Sequence, residues 1–134
     1  MGPPLRKELS TSIEWCKDVL EGTKQSISGD SLGSVDVREV AQAHLLAIKK
    51  KEAANRRFIL CQGVPCYHDY AKPVIDKYTP LGWPCTQQYD ERQPITNSFN
   101  NNASKELGVK YRDFNTTMLD MAEKLIELGI AKKP

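Results

Sequence analysis

Four cysteines and two histidines are the side chains of this sequence best equipped for metal or nucleophile chemistry. Cys61, Cys66, His68 and Cys85 carry the donor types of a zinc site. Their spacing does not: Cys61 and Cys66 are separated by four residues, and no second close pair mirrors them. Cys61 also ends an apolar run, where a small buried thiol is the ordinary occupant. His44 falls on the apolar side of a helical pattern with no second histidine or carboxylate pair to orient it, so a core histidine is expected rather than a base. The same holds for His68, beside Cys66 and Asp69. Nucleophile-elbow and zinc-protease patterns are absent. Gly29 and Gly33 form the nearest glycine pair, in a Ser-rich stretch with no strand before it, which is not a pyrophosphate cradle. The residues by themselves thus assign no catalytic group and no metal ligand.

Composition narrows the class. The chain has 134 residues, enough for one modest core. A formal net charge of +2 is too small to argue for a nucleic-acid or membrane partner. Aromatics are not interleaved with basic residues as a single-strand-binding groove requires. No apolar run approaches the roughly 20 residues of a membrane span. The start, Met1-Gly2-Pro3-Pro4-Leu5-Arg6-Lys7-Glu8, has no apolar core of a secretory signal, so a cytoplasmic setting is expected.

The elements that must position any site follow from periodicity. Residues 9–21 read as a helix, with Ser10 or Thr11 as cap, Ile13, Cys16, Val19 and Leu20 on one face, Trp15 at its side, and Gly22 as stop. Residues 23–33 read as a loop. Residues 34–51 read as a short strand turning directly into a helix. Asp36 caps that helix, Glu39 completes a capping box, and Val40, Ala41, His44, Leu45 and Ile48 recur at the spacing of one buried face. Lys49, Lys50 and Lys51 then read as a solvated helix end that complements the helix dipole. Arg57-Phe58-Ile59-Leu60-Cys61 reads as a strand covered on both faces. Residues 67–77 read as a helix despite Pro73. Residues 78–101 carry no clear period beyond a possible short strand at 96–100. A short helix at 102–107 is stopped by Gly108. The last helix, capped by Asn115 or Thr116, turns Met118, Leu119, Ala122, Leu125 and Ile126 inward and closes on Gly129-Ile130 in Schellman fashion.

Three segments carry a resemblance to a known family: Gly2-Pro3, the run from Val35 to His44, and Ser104-Lys105-Glu106-Leu107-Gly108-Val109-Lys110-Tyr111 with the helix after it. In order and spacing they resemble the C-terminal part of extended short-chain dehydrogenase/reductases, in the branch of dihydroflavonol reductases, cinnamoyl-CoA reductases and yeast-type carbonyl reductases. The resemblance implies an α/β fold represented here by its C-terminal part: mostly helical, with a few short strands, and with the N-terminal dinucleotide-binding sheet missing. Residues 1–134 would then be a single partial domain. Segments 1–33 and 62–134 would belong to the substrate lobe, and 34–61 would return as strand–helix–strand toward the Rossmann sheet.

The family's reaction is hydride transfer from a nicotinamide, with a Tyr-x-x-x-Lys pair supplying the proton; a lone phenol, with a pKa near 10, needs the lysine to serve. Four residues beyond Tyr67, Tyr70, Tyr78, Tyr89 and Tyr111 stand Ala71, Val74, Gly82, Gln93 and Asn115, so no tyrosine qualifies. A family serine ten residues beyond the Gly of Gly-Pro touches the cofactor; the matching position here is Ser12, which local helix capping would equally explain. The resemblance therefore implies NADP and a small-molecule carbonyl substrate for the complete enzyme, the missing Rossmann portion as partner, and a chain inactive alone. A repurposed, non-catalytic helical interaction module is the competing expectation.

Overall fold

The computed structural model describes residues 1–133. Five α-helices organise it: α1 Thr11–Glu21, α2 Val37–Lys49, α3 Tyr67–Tyr78, α4 Asn102–Leu107 and α5 Phe114–Glu127. Single turns of 3-10 helix follow at Lys51–Ala53, after an extended Lys50, and at Thr79–Leu81, directly after α3. Helices α1, α3 and α5 pack on one another and enclose the core. Each brings one stripe to it: Cys16, Val19 and Leu20; Tyr70, Ala71, Val74 and Tyr78; Met118, Met121, Ala122 and Leu125. Aromatic rings line one flank. Trp15 lies 5.3 Å from Tyr67, and Tyr70 meets Phe114 edge-on at 5.6 Å. Burial beside Cys85 pushes the Cys16 thiol up to about 12, which marks it as an inert core thiol.

Most helix ends match their sequence signals, although α2 stops at Lys49, with Lys50 extended, short of the expected end at Lys51. α5 closes on Gly129 (φ 65°), with Ile130 N–H donating to the Leu125 carbonyl at 2.9 Å, the expected Schellman arrangement. Its start is earlier than expected. Asp113, not Asn115 or Thr116, is the cap, and its carboxylate accepts from Thr116 N–H at 2.8 Å. An acidic oxygen at the positive end of a helix outcompetes the hydroxyl and the amide that follow it.

Among the described residues, strands shrink to isolated bridges: Ile27 with Tyr89, Ser31 with Cys66, and Ser34 with Gly63. Residues 57–61, expected as a covered strand, form none. Residues 57–60 make no backbone hydrogen bond, and Ile59 is 50% exposed. A strand's bonds come from its neighbours, and none lies beside it here. Residues 96–100 form no strand either. The irregular stretch after Trp83 is held by main-chain bonds. Ile27 N–H donates to Gln88 O, Asp90 N–H to Ile27 O and Gln93 N–H to Gly29 O, each at 2.9 Å. At Gly29 the Glu91 carbonyl occupies the space a Cβ would need.

Helix α2 corrects another expectation. Ala41, His44, Leu45 and Ile48 face outward, with Leu45 57% and Ile48 83% exposed, while Glu39 and Ala43 are buried. His44 is thus a surface residue, its Nδ1 2.7 Å from the Val40 carbonyl, and not a core histidine. The face of α2 that meets the body is the one bearing its carboxylate, because that is where partners for a buried charge lie. No described helix is long and apolar enough to cross a membrane.

Candidate functional site

The joint before α2 is built first from its backbone. The Met1 amine donates to Val35 O at 3.2 Å, and Val37 N–H donates to Met1 O at 2.9 Å. That reciprocal pattern is a parallel pairing of Met1 with Asp36, and it lays Gly2-Pro3 against the start of α2.

Asp36 then does more than cap. Its side chain is 1% exposed and accepts from Arg38 N–H at 2.8 Å, from both Nε and Nη2 of the Arg38 guanidinium, and from the Thr117 hydroxyl at 2.9 Å. The same guanidinium reaches Asp120 on α5 at 2.6 Å. Burial alone would raise the Asp36 carboxyl, but the Arg38 guanidinium and amide and the Thr117 hydroxyl outweigh it and hold the group below its ordinary value. Glu39, fully buried, closes the capping box by accepting from Asp36 N–H at 3.1 Å and also accepts from Arg112 N–H. Two buried carboxylates thereby tie the joint to α5 and to the segment before it. The capping box is visible in the sequence; its partners, 73 to 82 residues away, are not.

Two open clefts meet at this joint. One, of ≈ 560 Å³, is bordered by Gly2, Pro3, Ser12, Ile13 and Val37. The other, of ≈ 310 Å³, shares Met1 and Ser12 and adds Gly33, Leu60 and Phe99. Ser12 is the hydroxyl common to both. It stands in the first turn of α1, half-buried, its Oγ 3.5 Å from that of Ser10. That leaves its hydroxyl at the mouth of a mostly apolar surface, where one donor could fix a polar edge of a ligand.

The remaining candidates are placed apart. Cys61 Sγ donates to the Gly63 carbonyl at 3.3 Å and Cys66 Sγ to the Gly29 carbonyl at 3.2 Å, while Cys85 lies in the core. The His68 ring meets Tyr89 edge-on at 4.8 Å. Among the described residues no three His, Cys, Asp or Glu side chains gather as metal ligands. Two tyrosine hydroxyls are engaged, and those of the two buried tyrosines are made less acidic by burial. Tyr70 OH donates to Leu32 O at 2.7 Å, Tyr111 shares a hydrogen bond with Ser104, and burial raises the hydroxyls of Tyr70 and Tyr78. A proton donor needs its acidity moved the other way, by a nearby cation.

No family model matches the chain. Curated relatives do. Cinnamoyl-CoA reductase 1 of rice (Oryza sativa subsp. japonica) is 30% identical over 131 residues, which cover 92% of this chain and 38% of that protein. The NADPH-dependent methylglyoxal reductase GRE2 of Saccharomyces cerevisiae is 27% identical over 130 residues, again 92% of this chain and 38% of the relative. Among solved structures, yeast methylglyoxal/isovaleraldehyde reductase Gre2 complexed with NADPH superimposes with a TM-score of 0.74 at 24% identity, over 98% of this chain and 42% of that one. The chain thus spans about two-fifths of the length of the relatives it matches, and its fold is that of their C-terminal part.

Proposed function

We propose that this chain, which belongs to the extended short-chain dehydrogenase/reductases as a C-terminal part of the cinnamoyl-CoA reductase and yeast-type carbonyl reductase branch, is the substrate-facing lobe of a cytoplasmic NADPH-dependent reductase that turns a small-molecule carbonyl into an alcohol. Residues 1–33 and 62–134 form that lobe, and 34–61 reach back to a Rossmann sheet supplied by the rest of the enzyme. The observation that carries this reading is the match along more than nine-tenths of the chain to reductases that are much longer. The exposed apolar side of α2 and the unpaired backbone of 57–60 support it as surfaces that the rest of the enzyme would cover.

The cofactor, when bound, supplies the hydride. This chain fits one edge of it and no more. Ser12 offers a hydroxyl at the cleft, and Gly2-Pro3 shape the wall beside it. The glycine turn for the pyrophosphate and the Tyr-x-x-x-Lys proton donor have no counterpart here. The chain's own work is to orient the carbonyl, exclude water from one side of it, and hold Ser12 in place on α1, which packs against α3 and α5.

Adding the part of the Saccharomyces relative that this chain does not cover, as a separate polypeptide, tests the reading. NADPH oxidation with methylglyoxal, followed by absorbance, is expected only with both pieces present, and Ser12→Ala is expected to weaken NADPH binding. Association without turnover would favour the non-catalytic interaction module instead.

A further inference from the structure

Gly33 marks a place where the fold makes room for a single ring. Its backbone lies outside the left-handed region, so conformation does not demand glycine there. Space does. A Cβ at 33 would stand 2.6 Å from Phe99 Cε2, 3.2 Å from Phe99 Cδ2 and 3.3 Å from Cys61 Sγ. Phe99 sits in the stretch 91–100, whose residues are all exposed, and half of its own surface is open. It is nevertheless anchored. Two residues on, Asn101 Nδ2 donates to the Cys61 carbonyl at 2.7 Å, and Asn100 Oδ1 accepts from Asn102 N–H at 3.0 Å as α4 begins. The ring is therefore seated against Gly33 and Cys61 and borders the ≈ 310 Å³ cleft together with Leu32, Leu60 and Ser12.

Resting on the functional reading above, we infer that Phe99, seated by Gly33, is a specificity-determining residue: its ring sets the width of the apolar side of the cleft beside Ser12, and so the size of the substituent a carbonyl substrate can carry there. A seated aromatic ring next to one hydroxyl is the usual composition of a site that fixes polarity with few groups and size with many. Neither residue shows itself as a site in sequence, because a phenylalanine among asparagines and a glycine in a Ser-rich loop both read as irregular surface.

The two-piece enzyme provides the test, with kcat/KM measured for methylglyoxal and for the bulkier isovaleraldehyde. Phe99→Ala is expected to shift the ratio toward isovaleraldehyde by about tenfold, the range that a change of a few methylenes in an apolar pocket produces. Phe99→Leu should shift it less, and Gly33→Ala, which unseats the ring, should shift it with Phe99 itself intact. Should Gly33→Ala fail to fold, the two Phe99 variants still decide. A ratio held within about twofold of the parent in both Phe99 variants overturns the inference while leaving the reductase reading standing. Weakened association of the pieces at an unchanged ratio also overturns it, assigning Phe99 to the contact between lobes. No turnover in the parent pair removes the functional reading and this inference with it.

Discussion

Helices α2 and α5 carry comparable sequence signals and have opposite fates. Both are capped by an aspartate, both are amphipathic, and both carry a lysine in the last turn. In α5 the apolar stripe of Met118, Met121, Ala122 and Leu125 is sealed between α1 and α3. In α2 the apolar residues Leu45 and Ile48 face outward, and the attachment is made by Asp36, Glu39 and Arg38. Periodicity states which face of a helix is apolar; what lies opposite decides whether that face is core. One helix is held by volume, the other by charge.

The largest expected effect tests the first half of that contrast. Leu125→Ala should cost about 3 kcal/mol in chemical denaturation, the usual loss for a buried leucine that leaves a cavity. Ile48→Ala in the same chain should change stability by less than about 0.5 kcal/mol, because no surface is lost from a side chain already in water. Equal losses would erase the distinction. Next in size, Asp36→Ala removes a helix cap and leaves the buried Thr117 hydroxyl without its acceptor, while Arg38 keeps Asp120, which should cost about 2 kcal/mol. Hydrogen exchange should show that loss in α2 and at Thr117 before it appears in α1 or α3. Acid gives a gentler version of the same change. The folded Asp36 carboxyl lies below its ordinary value, so its contribution is complete above the ordinary carboxylate range, near 3.9, and is lost as pH falls through the lower folded value. The Asp36→Asn variant should flatten that acid limb of the stability curve.

Much of this was legible because it is local. The start of α2 was written in Asp36 and Glu39, the end of α5 in Gly129-Ile130, and the stop of α4 in Gly108, each within a few residues of its effect. The likeness to reductases rested on segments of the same kind, and the relatives bear it out. What failed needed distant partners. Residues 57–61 have the composition of a strand and no neighbour to pair with, and His44 lies on an apolar face that nothing covers. Thr117 and Asp120 carry no local signal, because their partner, the Asp36–Arg38 pair, is some 80 positions earlier. The seat of Phe99 against Gly33 is a contact across 66 positions of irregular chain, beyond the reach of any period.

The main-chain stitching of residues 88–93 onto Ile27 and Gly29 carries a consequence for how this surface can diversify. Backbone bonds are indifferent to side-chain identity, so the stretch keeps its course whatever residues it bears, provided position 29 stays small and no proline removes a needed donor. Its side chains are exposed and, apart from Tyr89 against His68 and Arg92 paired with Asp69, free of the packing constraints that restrict the helices. An attachment of this kind lets the surface accept new residues at little cost to folding while the framework beneath it stays fixed.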